Sequence, residues 1–472
     1  MDTCIVFWVL YIAPDDFSTP SGAREIRWGM SPNHPTDTPA PKIHLTTLGC
    51  AKNLVDSERM LGRLASAGAL VGATPEDADI LIVNTCGFID SAKQESIEAI
   101  LDAVRTKQDE GQKRVLVMGC LAQRYAEQLR AEIPEADGVF GLDEQAAVVA
   151  ACGLRPADDA GRLLLTPPHT AYLRISDGCD NRCSYCTIPM IRGPLRSRPS
   201  EEILDEVRDL SSYGVRELVV IGQDTTSYGA DRPGELRIHE LLDRISRIEG
   251  PRWIRLLYAH PAHFTDELID AYATIPTLCA YVDLPLQHAN NGILSQMGRR
   301  TTQADCLERI DNLRRRVPNV TIRTTFIVGF PGETRRTFAQ LLRFVRAVRF
   351  DHVGAFAYSE EEETPAAALP NQVPRRVRQR RRRRLMLAQR RIAYQNAASR
   401  RGQTVEVLID RPTATADQWI GRTVGQAPDV DPVTIVTGSG LHPGQFVYAR
   451  ITNSSGYDTL AVASEQGMTN AL

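Results

Sequence analysis

Three cysteines at 179, 183 and 186 stand in the segment GCDNRCSYC, with the spacing C-x3-C-x2-C. A structural zinc site uses four ligands, often as two C-x2-C knuckles, and this stretch offers no nearby fourth Cys or His. A 4Fe–4S cluster normally ties each of its four irons to one thiolate. Three thiolates leave one iron open, and an open iron accepts the amino and carboxylate groups of S-adenosylmethionine (SAM). Electron transfer to a sulfonium bound in that way cleaves it and gives a carbon radical. The spacing therefore favours a radical-generating cluster over a zinc or purely structural site.

A second set, Cys50, Cys86 and Cys120, is not a local motif. Taken alone it reads equally well as three buried small hydrophobes, which is what free cysteines usually are. Two features favour a second metal site. Each cysteine ends an apolar, β-branched run: IHLTTLGC (43–50), DILIVNTC (79–86) and RVLVMGC (114–120). Each also has a glycine neighbour (Gly49, Gly87, Gly119), which lets backbone approach a bulky group closely. Cys4, Cys152, Cys279 and Cys306 have no partner pattern and read as non-ligands.

The elements around these cysteines predict their placement. Between the three runs lie NLVDSERMLGRLASAG and AKQESIEAILDAVRT, with helical spacing of apolar residues. That rhythm predicts an α/β domain over 42–152, a parallel sheet with helices on both faces. Its three cysteines would emerge together at the carboxyl edge, where open α/β folds place their sites. Residues 153–170 read as a linker. Six further strand candidates follow: AYLRISDGC, RELVVIGQDTT, RWIRLLYAHP, AYVDLPLQH, VTIRTTFIVGF and DHVGAFAYS. Helical stretches separate them, so an incomplete (βα)6 barrel is predicted over 165–396, two units short of eight. Cys179, Cys183 and Cys186 follow its first strand, on the catalytic face. Residues 374–401 hold twelve Arg and no acid, and read as a basic linker helix. Five short β runs over 399–467 then predict a small antiparallel barrel.

Composition narrows the class. The chain has 472 residues, 43% hydrophobic and 24% charged, which suits several packed domains and excludes global disorder. Ten cysteines with tight clustering fit metal ligation in a reducing, cytoplasmic setting better than disulfides. No run of eighteen apolar residues predicts a membrane span. The apolar start CIVFWVLYIA (4–13) lacks a basic flank and a cleavage site, so a signal peptide is disfavoured. Residues 1–41 read as a flexible tail, with translation expected to begin at Met30.

Further segments carry a resemblance: LGCAKNLVDSE (48–58), VNTCGFIDSAKQESI (83–97), GCLAQRY (119–125), IGQDTTSYG (221–229), PLQHA (285–289) and FIVGFPGET (326–334). In these the chain resembles the methylthiotransferases, radical-SAM enzymes with an N-terminal cluster domain and a C-terminal TRAM domain. The likeness spans about residues 42–466 and is greatest to the branch that modifies small-subunit ribosomal protein twelve. One departure is Ala51, where the family usually has proline.

The resemblance implies two 4Fe–4S clusters, one on Cys179, Cys183 and Cys186 that cleaves SAM, and one on Cys50, Cys86 and Cys120 that holds the sulfur to be inserted. It implies a 3-methylthioaspartate product on that ribosomal protein, met on the ribosomal subunit. Flavodoxin or ferredoxin is the implied type of electron donor, and no membrane partner is expected.

Other residues carry weaker readings. Gln223 and Asp224 could contact the methionine amine or ribose of SAM, or could cap a turn. Tyr185 could cover adenine or simply pack, and VGFPGE (328–333) could lie along the nucleoside or form a tight turn. His288 could meet substrate, although a structural histidine is favoured. From 403 to 472 there are seven acids (Glu406, Asp410, Asp417, Asp429, Asp431, Asp458, Glu465) and three Arg (411, 422, 450), a balance of −4. That charge suits a basic protein substrate and disfavours tRNA. The rivals are methylthiolation of a tRNA adenosine and a non-catalytic iron–sulfur or zinc module that binds nucleic acid.

Overall fold

The computed structural model describes residues 39–156 and 161–464. The expectations on the tail, on Cys4, on Met30 as the start and on Glu465 lie outside the described residues. The chain divides into two compact units.

In the first unit, β1 (Lys42–Thr47), β2 (Leu70–Val71), β3 (Ile80–Thr85), β4 (Arg114–Gly119) and β5 (Gly138–Phe140) form one parallel sheet in the order β2-β1-β3-β4-β5. Strand side chains alternate between faces, and this sheet is apolar on both. Ile80, Ile82, Leu116 and Met118 join one core with α1 (Ala51–Ser66) and α4 (Gln145–Ala151). Leu81, Val83, Val115 and Val117 join the other with α2 (Asp90–Glu110) and α3 (Cys120–Glu132). Both faces must be covered, and β1, β3, β4 and β5 are each followed by a helix packed on the sheet. The stretch predicted as a linker is pinned where it is described. Arg162 and the Leu165 amide bind the buried Glu58 carboxylate of α1. Gly62 lets the segment pass, since a Cβ there would lie 1.8 Å from the Gly161 carbonyl oxygen. The short helix α5 (Ile188–Arg192) belongs to this unit.

In the second unit, six parallel strands supply the half-open barrel. β6 (Thr170–Arg174), β9 (Glu217–Ile221) and β10 (Trp253–Leu256) form one ladder set, and a separate two-stranded pair, β7 (Ser176–Asp177) and β8 (Arg196–Ser197), lies between β6 and β9 in the chain. β11 (Tyr281–Asp283), β12 (Thr321–Val328) and β13 (His352–Ala357) form the other. A parallel bridge from Ile254 to Leu278 marks the seam between them. Amphipathic helices cover the outside: α6 (Ser200–Ser212), α7 (Ile238–Ser246), α8 (Asp266–Thr274), α9 (Asn291–Gln296), α10 (Gln303–Arg316) and α11 (Arg335–Val348). Threonines start several of them. Thr302 and Thr334 each accept from the backbone N–H three residues on, which satisfies a donor the first turn leaves over. The arginine run forms α12 (Arg375–Ser399), which buries Leu385, Gln389 and Ile392.

The C-terminal strands β14 (Thr404–Pro412), β15 (Gln418–Thr423), β16 (Thr434–Thr437), β17 (Phe446–Ser455) and β18 (Asp458–Ala463) close into a barrel in the order β14-β15-β16-β18-β17. Four ladders are antiparallel; the fifth, β16 to β18, is parallel. Val407, Ile409, Val436, Val447, Ala449 and Ile451 fill it.

This small barrel is seated by buried charge. Arg422 of β15 meets Glu217 at 2.6 Å and Asp410 at 2.8 Å, and Arg255 reaches Glu217 at 2.9 Å. Arg323 meets Asp431 at 3.4 Å, and Tyr172 donates to Asp429 at 2.7 Å. His169 directly precedes β6 and binds Asp410, Glu217 opens β9 and binds Arg422, and His352 opens β13 and meets the Gly425 carbonyl, so the seat lies at the amino ends of the strands. This changes the charge argument made from sequence. Asp410, Asp429 and Asp431 face the larger barrel, and Glu406 pairs with Arg252. Four of the seven acids are thus engaged within the unit and offer little to a substrate.

Arg422→Ala leaves Glu217 and Asp410 buried without their shared cation. The expected loss is about 3–5 kcal/mol of stability. Urea unfolding of the purified chain measures it, and an unchanged midpoint would contradict the seating role.

Candidate metal centres

The first centre grows from strand register. Thr47 pairs with Asn84, and Thr85 pairs with Gly119, so β1, β3 and β4 end level with one another. Cys86 and Cys120 follow those ends directly, and Cys50 follows after Leu48 and Gly49. Cys50 caps α1 and Cys120 opens α3, which places both side chains at helix amino ends. Cys86 is held on both sides by Ser96, whose hydroxyl accepts from the Cys86 N–H and donates to its carbonyl, each at 2.9 Å.

The glycines do something other than admit a cofactor. A Cβ on Gly49 would lie 2.7 Å from Cys86 Cβ, and one on Gly87 would lie 2.9 Å from the Leu121 backbone. Gly119 takes φ +101°, and its Cβ would lie 2.3 Å from Asn84 Oδ1. Their small size lets the three ligand loops approach one another.

Neighbouring sulfurs and burial disfavour ionisation of Cys86 and Cys120. Burial, then the nearby Cys50 and Cys120, push the Cys86 thiol far up. Burial pushes Cys120 up to about 11, against the pull of Arg192. Without a cation Cys86 and Cys120 would stay protonated; a shared metal cluster would stabilise their thiolates. The donor set therefore fits an iron–sulfur cluster on three thiolates.

Sequence reasoning missed the residues that tie this centre together. Asn53, one turn into α1, donates from Nδ2 to the Leu48 carbonyl at 3.0 Å and the Thr85 carbonyl at 2.8 Å. Its Oδ1 accepts from Arg192 at 2.9 Å. Arg192 also meets Asp56 at 2.8 Å and lies 3.5 Å from Cys120 Sγ. Asn53 and Asp56 are three residues apart on one helix face, which was the available signal. Arg192 had none.

The second centre is the loop after β6. The Cys186 N–H donates to the Cys183 carbonyl at 3.1 Å, and the Ser184 N–H donates to the Met297 carbonyl at 3.0 Å. Gly298, at φ +71°, allows this contact, since its Cβ would lie 2.4 Å from the Arg182 carbonyl oxygen. Asn181 Nδ2 lies 3.4 Å from Cys179 Sγ and donates to Asp224 at 2.7 Å. Arg299, which sequence reasoning also passed over, reaches 3.8 Å from Cys183 Sγ. Cationic and amide donors thus surround the sulfurs, as an anionic thiolate cluster requires. All three cysteines are partly exposed, so a ligand can reach the centre.

The remaining candidates divide. Asp224 caps the turn Thr225–Ser227 and binds His263 at 2.8 Å. Burial pushes its carboxyl up, but hydrogen bonds from His263 and Thr226 overcome this and hold it well below the usual range. It is therefore an anionic brace between the cluster loop and the loops after β9 and β10. Asp224, His260 and His263 lie within 4.8 Å of one another, but the Ala262 N–H already occupies His260 Nδ1. Gln223 is half-buried at the same strand end. Tyr185 packs edge-on to Phe330 at 6.5 Å. His288 is fully buried, with Nδ1 accepting from the Asn290 N–H, and burial lowers its pKa to about 3. Gly329 makes room for Arg378, whose side chain would lie 2.5 Å from an added Cβ, which accounts for the glycine as packing. Cys152, Cys279 and Cys306 are buried.

Comparison with known proteins agrees with this layout. Residues 42–141 match the uncharacterized protein family UPF0004, residues 173–345 the radical SAM superfamily and residues 402–463 the TRAM domain. The chain is 46% identical over 438 residues to the ribosomal protein uS12 methylthiotransferase RimO of Desulfitobacterium hafniense, covering 89% of this chain and 98% of that protein. It is 44% identical over 435 residues to the RimO protein of Clostridioides difficile, with 89% and 98% covered. Among solved structures, the radical SAM methyltransferase TsrM from Kitasatospora setae superposes with a TM-score of 0.51 at 16% identity, over 70% of this chain and 77% of that one, a likeness of fold alone. With its three domains in this order and identity sustained over nearly the whole of such relatives, the chain belongs to the RimO family of methylthiotransferases.

Proposed function

We propose that this chain is a radical-SAM methylthiotransferase that replaces one hydrogen on the β-carbon of an aspartate in ribosomal protein uS12 by a methylthio group. The observation that carries the reading is the pair of three-thiol centres within one chain of this family, each at the carboxyl end of a parallel sheet. When bound, a 4Fe–4S cluster with an open iron supplies SAM binding and the electron that cleaves the sulfonium.

The chain's own residues supply holding, charge and access. Cys179, Cys183 and Cys186 hold the SAM-cleaving cluster, and Asn181 and Arg299 offset the charge on its sulfurs. Asp224 keeps Asn181 aimed, while Gln223 and Tyr185 are the nearby side chains available to SAM. Cys50, Cys86 and Cys120 hold the second cluster, with Arg192 against Cys120. A β-carbon hydrogen is beyond ordinary side-chain bases, which are tuned to transfers near neutral pH; a radical is needed for it. The methyl group comes from SAM. The substrate is met on the ribosomal subunit, in the cytoplasm, with a flavodoxin or ferredoxin as electron donor. Among the described residues, no helix is long and apolar enough to cross a membrane.

Mass spectrometry of uS12 after anaerobic incubation with the reconstituted chain, SAM, a sulfur source and a reductant should show 3-methylthioaspartate. A methylthiolated adenosine in tRNA, with uS12 unchanged, would overturn the reading. Reconstitution should give about eight irons per chain, against bound zinc for a structural module. Replacing Cys50, Cys86 and Cys120 by Ala should halve the iron and abolish the methylthio product, while 5′-deoxyadenosine formation persists. Replacing Cys179, Cys183 and Cys186 should abolish both. Asn53→Ala should weaken cluster retention at the first centre about 10–100-fold, read as faster iron loss to a chelator. Retention equal to the parent would remove Asn53 from that role.

A further inference from the structure

We infer that the groove between α11 and α12 is a docking surface for the phosphodiester backbone of an RNA stem. Two contiguous hollows run along these helices, about 740 and 720 Å³ in volume, and they meet at Arg384. Arg335, Arg380 and Arg384 line the first; Arg346, Arg390 and Arg391 line the second. All six are exposed. Among the described residues, none of the six forms an ion pair with a carboxylate. The one acid in either lining, Glu333, is buried and engaged by Arg381 at 3.0 Å.

The bland alternative is a solvated linker face. Such faces normally interleave acids three or four residues from each base, because like charges at that spacing repel. Here the run has none: twelve Arg and no acid stand between 374 and 401, in a chain whose net charge is −3. The positive charge is concentrated on one ridge. Part of it is also held in place. Arg384 lies over the Phe338 ring at 5.5 Å, and Arg349 donates to Gln395 at 3.1 Å.

Chemistry selects the occupant. Guanidinium forks match phosphate oxygens in pairs. From Arg380 to Arg391 the helix rises about 16 Å, a length that meets several successive phosphates and suits an extended polyanion. The lining offers no exposed aromatic ring on which a base could stack; Phe338 is buried beneath the arginines. Contact with the backbone of a paired stem, without base readout, is what such a surface supports. The choice of RNA over other polyanions rests on the proposed function, whose substrate sits in a ribonucleoprotein; the groove's affinity for phosphate does not.

The test is binding, which keeps it separate from catalysis. Fluorescence anisotropy of the reconstituted chain with a labelled twelve-base-pair RNA hairpin should show binding that weakens steeply with salt. Exchanging Arg380, Arg384, Arg390 and Arg391 together for Gln should lower the slope of log K against log salt by about three. Iron content and 5′-deoxyadenosine formation should stay at parental levels, which reports an intact fold. The corresponding Lys variant should recover most of the slope. Equal affinity and slope in parent and Gln variant would overturn the inference. So would binding of poly-glutamate as tight as that of the hairpin through the same four residues, which would make the surface an acidic-protein site.

Discussion

Bringing Cys50, Cys86 and Cys120 to one edge of the sheet is the constraint on which the first unit depends. Like charges repel, and loops long enough to converge freely would lose too much entropy on ordering. The chain resolves this with parallel strands that end level, each handing its cysteine directly to the crossover that follows. What remains is a problem of space. Gly49, Gly87 and Gly119 remove the atoms that would otherwise hold the loops apart, and Asn53 bonds to the carbonyls of two of the loops. Arg192 and the helix amino ends then provide positive potential around the sulfurs.

In the second unit two jobs are assigned to opposite ends of the same strands. The carboxyl ends carry the cysteine loop, Gln223 and Asp224, with Asn181 bonded to Asp224. The amino ends carry His169, Glu217 and His352, which with Tyr172, Arg255 and Arg323 seat the small barrel. Buried ion pairs cost desolvation and return it only when fully engaged. Here Glu217 is shared by two arginines, and Arg422 by two carboxylates. The consequence is that the barrel's acids are occupied by the body that carries it, and the catalytic end is left clear of it.

The long basic helix shows how one residue type can serve two ends. Arg378 and Arg381 are buried and bind the Tyr358 carbonyl and Glu333. Arg380, Arg383, Arg384, Arg390 and Arg391 are exposed on the same helix. Helical periodicity separates the packing set from the surface set, although the sequence shows only an uninterrupted run.

Much of this was legible in the chain itself. The C-x3-C-x2-C spacing is local chemistry, so it needs no fold to interpret. The β-branched runs ending in Cys50, Cys86 and Cys120 predicted a common edge, because strand direction and crossover rules leave few alternatives. All six strands of the half-open barrel and all five of the small one were visible as apolar runs between turns. What the sequence could not show was anything that depends on approach across long separations. Arg192 became part of the first centre, and Arg299 part of the second, only through folding. The acids of the small barrel looked like a surface until the tertiary structure paired them with Arg422, Arg323 and Arg252. Spacing along a chain records which groups share a strand end or a helix face; which charges neutralise one another is decided by packing, since partners such as Arg323 and Asp431 or Arg252 and Glu406 lie more than a hundred residues apart and leave no trace in local pattern.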